Sequence, residues 1–144
     1  MAYCTSTDMA KLLPNSMLIN LSNDTAGAVA VNETNMTEAI DQADREIDAY
    51  INLAGYTVPL DPVPPLIANL SAKMAIWNLH LRKYFNSEIW SETYKQCLKL
   101  LERIAEGKLS LGMEEDGVDQ EGLSGSHAVS SRTQKFTETF MEEY

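Results

Sequence analysis

Apolar residues in segment 65–84 recur at helical spacing, after a proline-rich approach that cannot be helical. Four prolines lie between Pro59 and Pro65, and each one removes a backbone donor and favours extended backbone before it. The apolar positions that follow are three or four residues apart, which is the period of one helical face. They are Leu66, Leu70, Met74, Trp77 and Leu81, and Ile67, Ile76 and Leu79 widen the face. Since other helices usually cover a helix that is apolar around most of its circumference, we predict a central helix here.

Two more segments have the same period and flank the central one. Segment 33–54 follows a capping Asn32 or Asn35 and ends before Gly55, a residue typical of helix C-termini. Segment 88–106 follows Ser87, which can cap it. Their apolar stripes are Met36, Ile40, Ala43, Ile47, Ile51 and Ala54 in the first, and Ile89, Trp90, Tyr94, Cys97, Leu98, Leu101, Ile104 and Ala105 in the second. Because the connections are short, we expect sequential helices to pack antiparallel.

The N-terminal residues predict two short helices before the long ones. Thr5 and Asp8 have the spacing of a capping pair, and Pro14 ends the first helix. Asn15 or Ser16 is the expected cap of the second helix. Residues 22–31 are loop-like, with weak β character at 29–31. The predicted fold is therefore all-α, a small antiparallel bundle of three long helices and short N-terminal helices, with an extended C-terminal arm.

Packing predictions follow from the apolar stripes. We expect Ile47, Leu70, Trp77 and Leu101 to be buried where the three long helices meet. Four of the seven methionines, Met9, Met17, Met36 and Met74, are expected to fill the core. Since 144 residues suffice for one sizeable core, we predict one helical domain over residues 1–111.

The composition changes after Gly107. Residues 112–144 contain several glycines and serines and an acidic cluster at 114–116, so they cannot build a core alone. We interpret 112–128 as a tether and 129–144 as a segment that docks on a partner, because the latter regains apolar residues. The candidate docking residues are Val129, Phe136, Phe140, Met141 and Tyr144. Helical or extended backbone would place the three aromatic residues on one side, and deleting 129–144 should leave the bundle folded but abolish assembly.

Charge and cysteine content narrow the function classes. A formal net charge of −10 disfavours nucleic-acid binding, which requires clusters of lysine and arginine. No segment has the pattern of a secretory signal or a membrane span, so we expect no membrane association. With only Cys4 and Cys97, distant in sequence, we expect free thiols and a reducing compartment.

Candidate catalytic and metal-binding residues are few. His80 lies among apolar residues of the central segment and is expected to be a core or helix-surface histidine. His127 has no cysteine or histidine at ligand spacing. Asp41, Asp44 and Asp48 fall near one helical face, which we interpret as a solvated acidic surface because Arg45 interrupts it and calcium loops have another spacing. We therefore predict no catalytic residue, no cofactor and no metal.

The order of these segments resembles a known family, the small Mu-like tailed-phage head–tail connector proteins, over about residues 1–111. The most specific part is 56–64, where Tyr56-Thr57-Val58-Pro59-Leu60 and then Val63-Pro64 are similar to the family's Tyr-x-Leu-Pro-Leu and Val-Pro crossover. The other similar segments are 3–9, with its opening tyrosine and capped helix, 21–23, the Ile-Asp-x-Tyr helix at 39–51, and the closing helix with its Gly-Lys at 94–108.

This resemblance implies a virion structural protein. Such connectors form a helical bundle repeated as a homo-oligomeric ring, commonly of twelve subunits, at the neck between head and tail. The implied partners are the portal protein and the next neck or tail protein, with DNA passing through the ring without specific binding. Assembly from protein made in the host cytoplasm agrees with the free thiols.

Two other functions remain open from the sequence. One is a monomeric helical binding or regulatory module that captures a partner with its C-terminal tail. The other is a small enzyme that uses a cation on the Asp41, Asp44 and Asp48 face. Ring formation and a portal gene nearby would favour the connector over both alternatives.

Overall fold

The structure is a computed structural model of the chain, and it describes residues 1–113. The chain divides into two units, Met1–Glu114 and Glu115–Tyr144. The first unit contains the helical domain. The second unit lies outside the described residues, as do the predicted docking segment 129–144 and all of the predicted tether 112–128 except residues 112 and 113.

Five helices form the described part of the chain, and no strand occurs within residues 1–113. They are α1 (Ser6–Leu12), α2 (Asn15–Ser22), α3 (Glu33–Leu53), α4 (Pro65–Arg82) and α5 (Glu88–Ala105). The prediction of a small all-α bundle with three long and two short helices is confirmed. The weak β character expected at 29–31 is wrong, because this segment is an irregular loop in which Val29 is exposed.

Side-chain caps set three of the helix starts. The hydroxyl of Thr5 accepts from the backbone N–H of Asp8, whose carboxylate accepts from the Thr5 N–H, so the predicted capping pair forms. Asn32 caps α3 and Ser87 caps α5. The predicted cap of α2 is wrong: Pro14 occupies the cap position without a side-chain hydrogen bond, because Asn15 and Ser16 already belong to the helix.

Helix α4 packs against α1, α3 and α5 and forms the centre of the core. Ile47, Leu70 and Leu101 are buried as predicted. Trp77 is only half-buried, so that prediction is wrong; its ring stacks on Tyr94 with centroids 5.9 Å apart. Leu81 is likewise 54% exposed. The face of α4 that enters the core is instead the one that carries Ile67, Met74, Ile76 and Leu79.

Two other apolar residues that were predicted to be buried are exposed. Met17 in α2 is 45% exposed and Ile89 at the start of α5 is 76% exposed. Both lie near helix ends, where the bundle offers fewer neighbours than at mid-helix. The stripe of α5 still enters the core through Cys97, Leu101 and Ile104.

The crossover between α3 and α4 turns tightly and places Leu60 in the core. The peptide bonds Val58–Pro59 and Asp61–Pro62 are cis, and Leu60 is 2% exposed. Its backbone N–H donates to the Tyr3 hydroxyl over 3.0 Å. The crossover and the N-terminal segment are therefore joined at this end of the bundle. Among residues 1–113, no helix combines the length and the apolar character needed to cross a bilayer.

Candidate functional site

The predicted docking residues fall outside the part of the chain that the structure describes. Val129, Phe136, Phe140, Met141 and Tyr144 all follow residue 113. The described residues offer two other places where function can be sought. One is a polar cluster inside the bundle, and the other is an exposed apolar turn at one end of it.

The polar cluster is centred on Asp44, which α3 directs into the bundle. Its carboxylate accepts hydrogen bonds from the Tyr3 backbone N–H, over 2.8 Å, and from the Ser71 hydroxyl, over 2.5 Å. The Tyr3 hydroxyl in turn donates to the carboxylate of Asp48. Asp44 is only 6% exposed. The expected solvated acidic face is therefore wrong for this residue, because its oxygens serve as acceptors for buried donors.

Burial decides the acid–base properties of the cluster. It raises the pKa of Asp44, against the opposing effect of the hydrogen bonds from Ser71 and Tyr3. It also raises the pKa of Tyr3, and the hydrogen bond to Asp48 acts in the same direction. These contacts hold the N-terminal segment, α3 and α4 together. Tyr3, Asp44 and Ser71 are buried and Asp48 is half-buried. Both oxygens of Asp44 accept hydrogen bonds, so its carboxylate has no open position for a substrate.

Both cysteines are free, as predicted, and both are buried. The Cys4 sulfur lies 3.2 Å from the Ser71 hydroxyl oxygen, at the edge of the polar cluster. Burial raises the pKa of Cys4 to about 11 and also raises the pKa of Cys97. Since the thiolate is the nucleophilic form, neither side chain has the properties of a catalytic cysteine.

His80 is a core residue, in agreement with the sequence-based prediction. It is 2% exposed, and its ring stacks on Trp90 with centroids 6.0 Å apart. Its Nδ1 lies 2.9 Å from the Ile76 carbonyl oxygen. A carbonyl oxygen can only accept, so Nδ1 carries a proton. The imidazole is therefore fixed by packing and by this hydrogen bond.

Residues 1–113 contain no group of three or more histidine, cysteine or acidic side chains placed to hold a metal ion. A cleft of about 260 Å³ lies between α1 and α4, and Asp8 and Lys11 are its charged residues. These two side chains form an ion pair with each other over 3.0 Å. Their charges are therefore satisfied within α1.

The apolar turn, defined here as residues 81–89, joins α4 to α5. It exposes four large apolar side chains within nine positions, a density found nowhere else in the described part of the chain. Tyr84 is 97% exposed, and Leu81, Phe85 and Ile89 are each more than half exposed. The periodicity of the sequence predicts buried positions for Leu81 and Ile89. It does not predict this surface, because periodicity alone does not show which positions the neighbouring helices cover.

The turn begins with a regular helix-ending motif. The N–H of Phe85 donates to the carbonyl of His80 and the N–H of Tyr84 to that of Leu81, which is the Schellman pattern. Tyr84 occupies the left-handed position with φ 54°. In α3 and α5 the equivalent position is a glycine, Gly55 or Gly107, with φ 90° or 74°.

An ion pair fixes the turn to the loop that follows α2. Both terminal nitrogens of Arg82 contact the carboxylate of Asp24, over 2.9 Å and 2.6 Å. The same loop carries Val29, which is 91% exposed. Two connections at one end of the bundle therefore present apolar side chains.

The outer faces of α3 and α5 differ in charge. Helix α3 exposes Glu33, Glu38 and Asp41 beside one basic residue, Arg45. Helix α5 exposes Lys95, Lys99 and Arg103 at intervals of four residues. Acidic residues Glu88, Glu92 and Glu102 also lie on the exposed side of α5 and balance its basic side chains. The acidic character of the described bundle is therefore concentrated on α3.

Comparison with known proteins gives two matches. The chain matches the family model described as Bacteriophage Mu, Gp36 over residues 3–129, which includes all five helices. It is also similar to the Mu-like prophage FluMu protein gp36 of Haemophilus influenzae, with 27% identity over 99 residues. That alignment covers 69% of this chain and 68% of the relative.

Proposed function

This chain belongs to the bacteriophage Mu Gp36 family, and from that membership we propose that it is a head–tail connector subunit of the virion. In this proposal, copies of the chain form a ring at the neck that joins the portal to the next neck or tail protein and lines the DNA channel. The proposal requires no cofactor and no catalytic group.

The observation that carries the proposal is the apolar turn. Its four large apolar side chains are each more than half exposed within nine positions, and exposed apolar side chains that cluster in this way often mark protein contacts. The core of the bundle is formed without them. A subunit that acted alone would gain nothing from this exposure, whereas a ring subunit has neighbours that can cover it.

A ring also explains how one surface can serve every copy. Subunits in a cyclic assembly contact each other head to tail, so each copy presents one surface and receives another. For twelve copies of the 16.0 kDa chain the ring would have a mass of about 190 kDa. This mass distinguishes the ring clearly from a monomer.

The test is assembly with the portal protein of the same phage. Mass photometry and negative-stain electron microscopy of the mixture should show a ring bound to the portal. Ile89→Ser should weaken this assembly by about tenfold or more if the turn is an interface. Leu53→Ser is the matched control, because both side chains are 76% exposed and Leu53 lies at the end of α3.

The connector function would be contradicted if the native chain neither bound the portal nor formed rings in this mixture. A protein that stayed monomeric while its apolar turn bound some other protein would instead be the helical binding module. The enzyme alternative has little support, since Asp44 is buried and both its oxygens accept hydrogen bonds. The acidic face therefore lacks one of its three proposed ligands.

A further inference from the structure

The backbone of Tyr84 indicates that the apolar turn is built for contact. A non-glycine residue in the left-handed region costs about 1–2 kcal/mol, and the helix ends at Gly55 and Gly107 avoid this cost. A strained residue usually persists because its side chain has a role. The Tyr84 side chain is 97% exposed, so packing within the bundle gives it none. The ring is therefore available for a contact outside the bundle.

We propose that the apolar turn of one copy receives residues 129–144 of the adjacent copy. This inference rests on the proposed ring, because the ring places copies side by side. The C-terminal segment has the matching composition: Phe136, Phe140 and Tyr144 recur at every fourth position. Aromatic side chains of this kind dominate the affinity of many protein contacts.

The charges of the two segments also support contact between residues 129–144 and the apolar turn. Residues 136–144 carry Glu138, Glu142 and Glu143 and no basic residue. On the turn, Arg82 is engaged by Asp24, whereas Lys83 makes no salt bridge within residues 1–113. Lys83 directly precedes Tyr84, so residues 136–144 at this position would bring opposite charges together. Glu88 lies at the other end of the turn, and the basic residues of the segment, Arg132 and Lys135, precede 136–144.

The length of the chain allows the segment to reach a neighbour. The N–H of Leu111 donates to the Tyr56 hydroxyl, so the described chain ends near the C-terminus of α3. The turn lies at the other end of α5, whose 18 residues rise about 27 Å. Residues 114–128 can span at most about 50 Å when extended and about 22 Å on average as a free chain. A neighbour alongside is therefore within reach.

Photo-crosslinking of the full chain identifies the occupant of the turn. Tyr84 is replaced by benzoyl-phenylalanine in a mixture of nitrogen-15-labelled and unlabelled protein, assembled with the portal, and the crosslinked peptides are sequenced by mass spectrometry. We expect peptides from 129–144 that join a labelled to an unlabelled chain. The same group at Leu53 is the control, and its yield of this product should be about tenfold lower.

Three results would overturn the proposal: crosslinks only within one chain, crosslinks to the portal or to another part of the bundle, or none in assembled particles. Electron microscopy of the same samples reports the ring separately. If rings form but no crosslink joins position 84 to residues 129–144, only this inference is contradicted. Labelled-to-unlabelled products without rings or portal binding contradict the connector function instead.

Tyr84→Gly in the full chain provides a second test, in which a loss of assembly cannot be attributed to unfolding. Glycine suits the left-handed backbone, so the variant should melt at the same temperature as the native chain or higher. We expect the concentration for half-maximal assembly to rise about tenfold or more, because the aromatic anchor is lost. Unchanged assembly of this variant would show that Tyr84 has no role in the contact.

Discussion

The carboxylate of Asp44 holds the N-terminal segment and α4 against α3 from inside the bundle. Replacing it by asparagine keeps the size but leaves one acceptor oxygen for two donors, the Tyr3 N–H and the Ser71 hydroxyl. We expect Asp44→Asn to lower the free energy of unfolding at neutral pH by about 1–3 kcal/mol. Asp41→Asn, at an exposed position of the same helix, should change it by no more than about 0.5 kcal/mol. Urea denaturation measures the free energy of unfolding of both variants.

The pH dependence of the free energy of unfolding, compared between the native chain and Asp44→Asn, tests the raised pKa of Asp44. Since the folded chain holds this proton more tightly than the unfolded chain, folding stability decreases as pH rises from the ordinary aspartate pKa of about 3.9 through the raised value. The stability advantage of the native chain over Asp44→Asn should therefore be largest at low pH and become constant above that window. An advantage that grows with pH would show that the Asp44 pKa is lowered.

The acidic positions of α3 also show where sequence reasoning stops. Asp41, Asp44 and Asp48 have the spacing of one helical face, and spacing does not reveal which face meets the core. The deciding contacts come from Tyr3 and Ser71, which are 41 and 27 positions away from Asp44. Asp44 is buried because donors on two other segments pair with it.

The left-handed backbone of Tyr84 predicts a stabilising substitution. Tyr84→Gly should raise the free energy of unfolding by about 1 kcal/mol, because glycine adopts this backbone without steric cost. Gly107→Ala is the reciprocal control: a Cβ there has open space around it, so only the backbone conformation is tested, and stability should fall by about 1 kcal/mol. Destabilisation by Tyr84→Gly would mean that the exposed ring contributes to the fold itself.

At the scale of elements, caps and periodicity predicted the helices well, but not the orientation of α4. Thr5, Asn32 and Ser87 cap as expected, and Gly55 and Gly107 end their helices, because these features act within a few residues. Helix α4 is apolar around most of its surface, so its sequence does not favour one buried face. Its contacts with α1, α3 and α5 decide that Ile76 is buried and Leu81 is exposed.

This orientation predicts which apolar positions stabilise the bundle. Leu70→Ala and Ile47→Ala should each lower the free energy of unfolding by about 2–5 kcal/mol, through lost transfer energy and the cavity that remains. Leu81→Ala, on the same helix as Leu70 but largely exposed, should change it by no more than about 0.5 kcal/mol. Equal losses at positions 70 and 81 in denaturant titrations would contradict the described orientation.

At the scale of the whole molecule, the sequence indicated an acidic helical protein and, through its resemblance, a phage family. It placed the interaction surface in residues 129–144, which the structure does not describe. The apolar turn was not predicted, because Leu81 and Ile89 continue the periodicity of buried positions. Exposure of these residues depends on which positions the neighbouring helices cover, and a single stripe does not contain that information.

The charge distribution gives a final prediction about DNA. In the proposed ring, a channel wall should repel phosphates, so we expect the α3 face with Glu33, Glu38 and Asp41 to line the channel. The free protein should bind duplex DNA more weakly than about 100 μM at physiological salt, the weak end of non-specific binding. Fluorescence anisotropy with a labelled duplex measures this directly, and tight binding that falls steeply with added salt would contradict it.

Charge reversal tests which helix faces the DNA. The triple variant Glu33→Lys, Glu38→Lys and Asp41→Lys places three cations on α3 and should slow DNA passage through assembled particles, because phosphates would bind the wall. The matched control, Lys95→Glu with Lys99→Glu, changes exposed charges on α5 and should leave passage unchanged. DNA release from assembled virions, followed with an intercalating dye, provides the measurement. Slower release in the α5 variant alone would place α5, and not α3, at the channel.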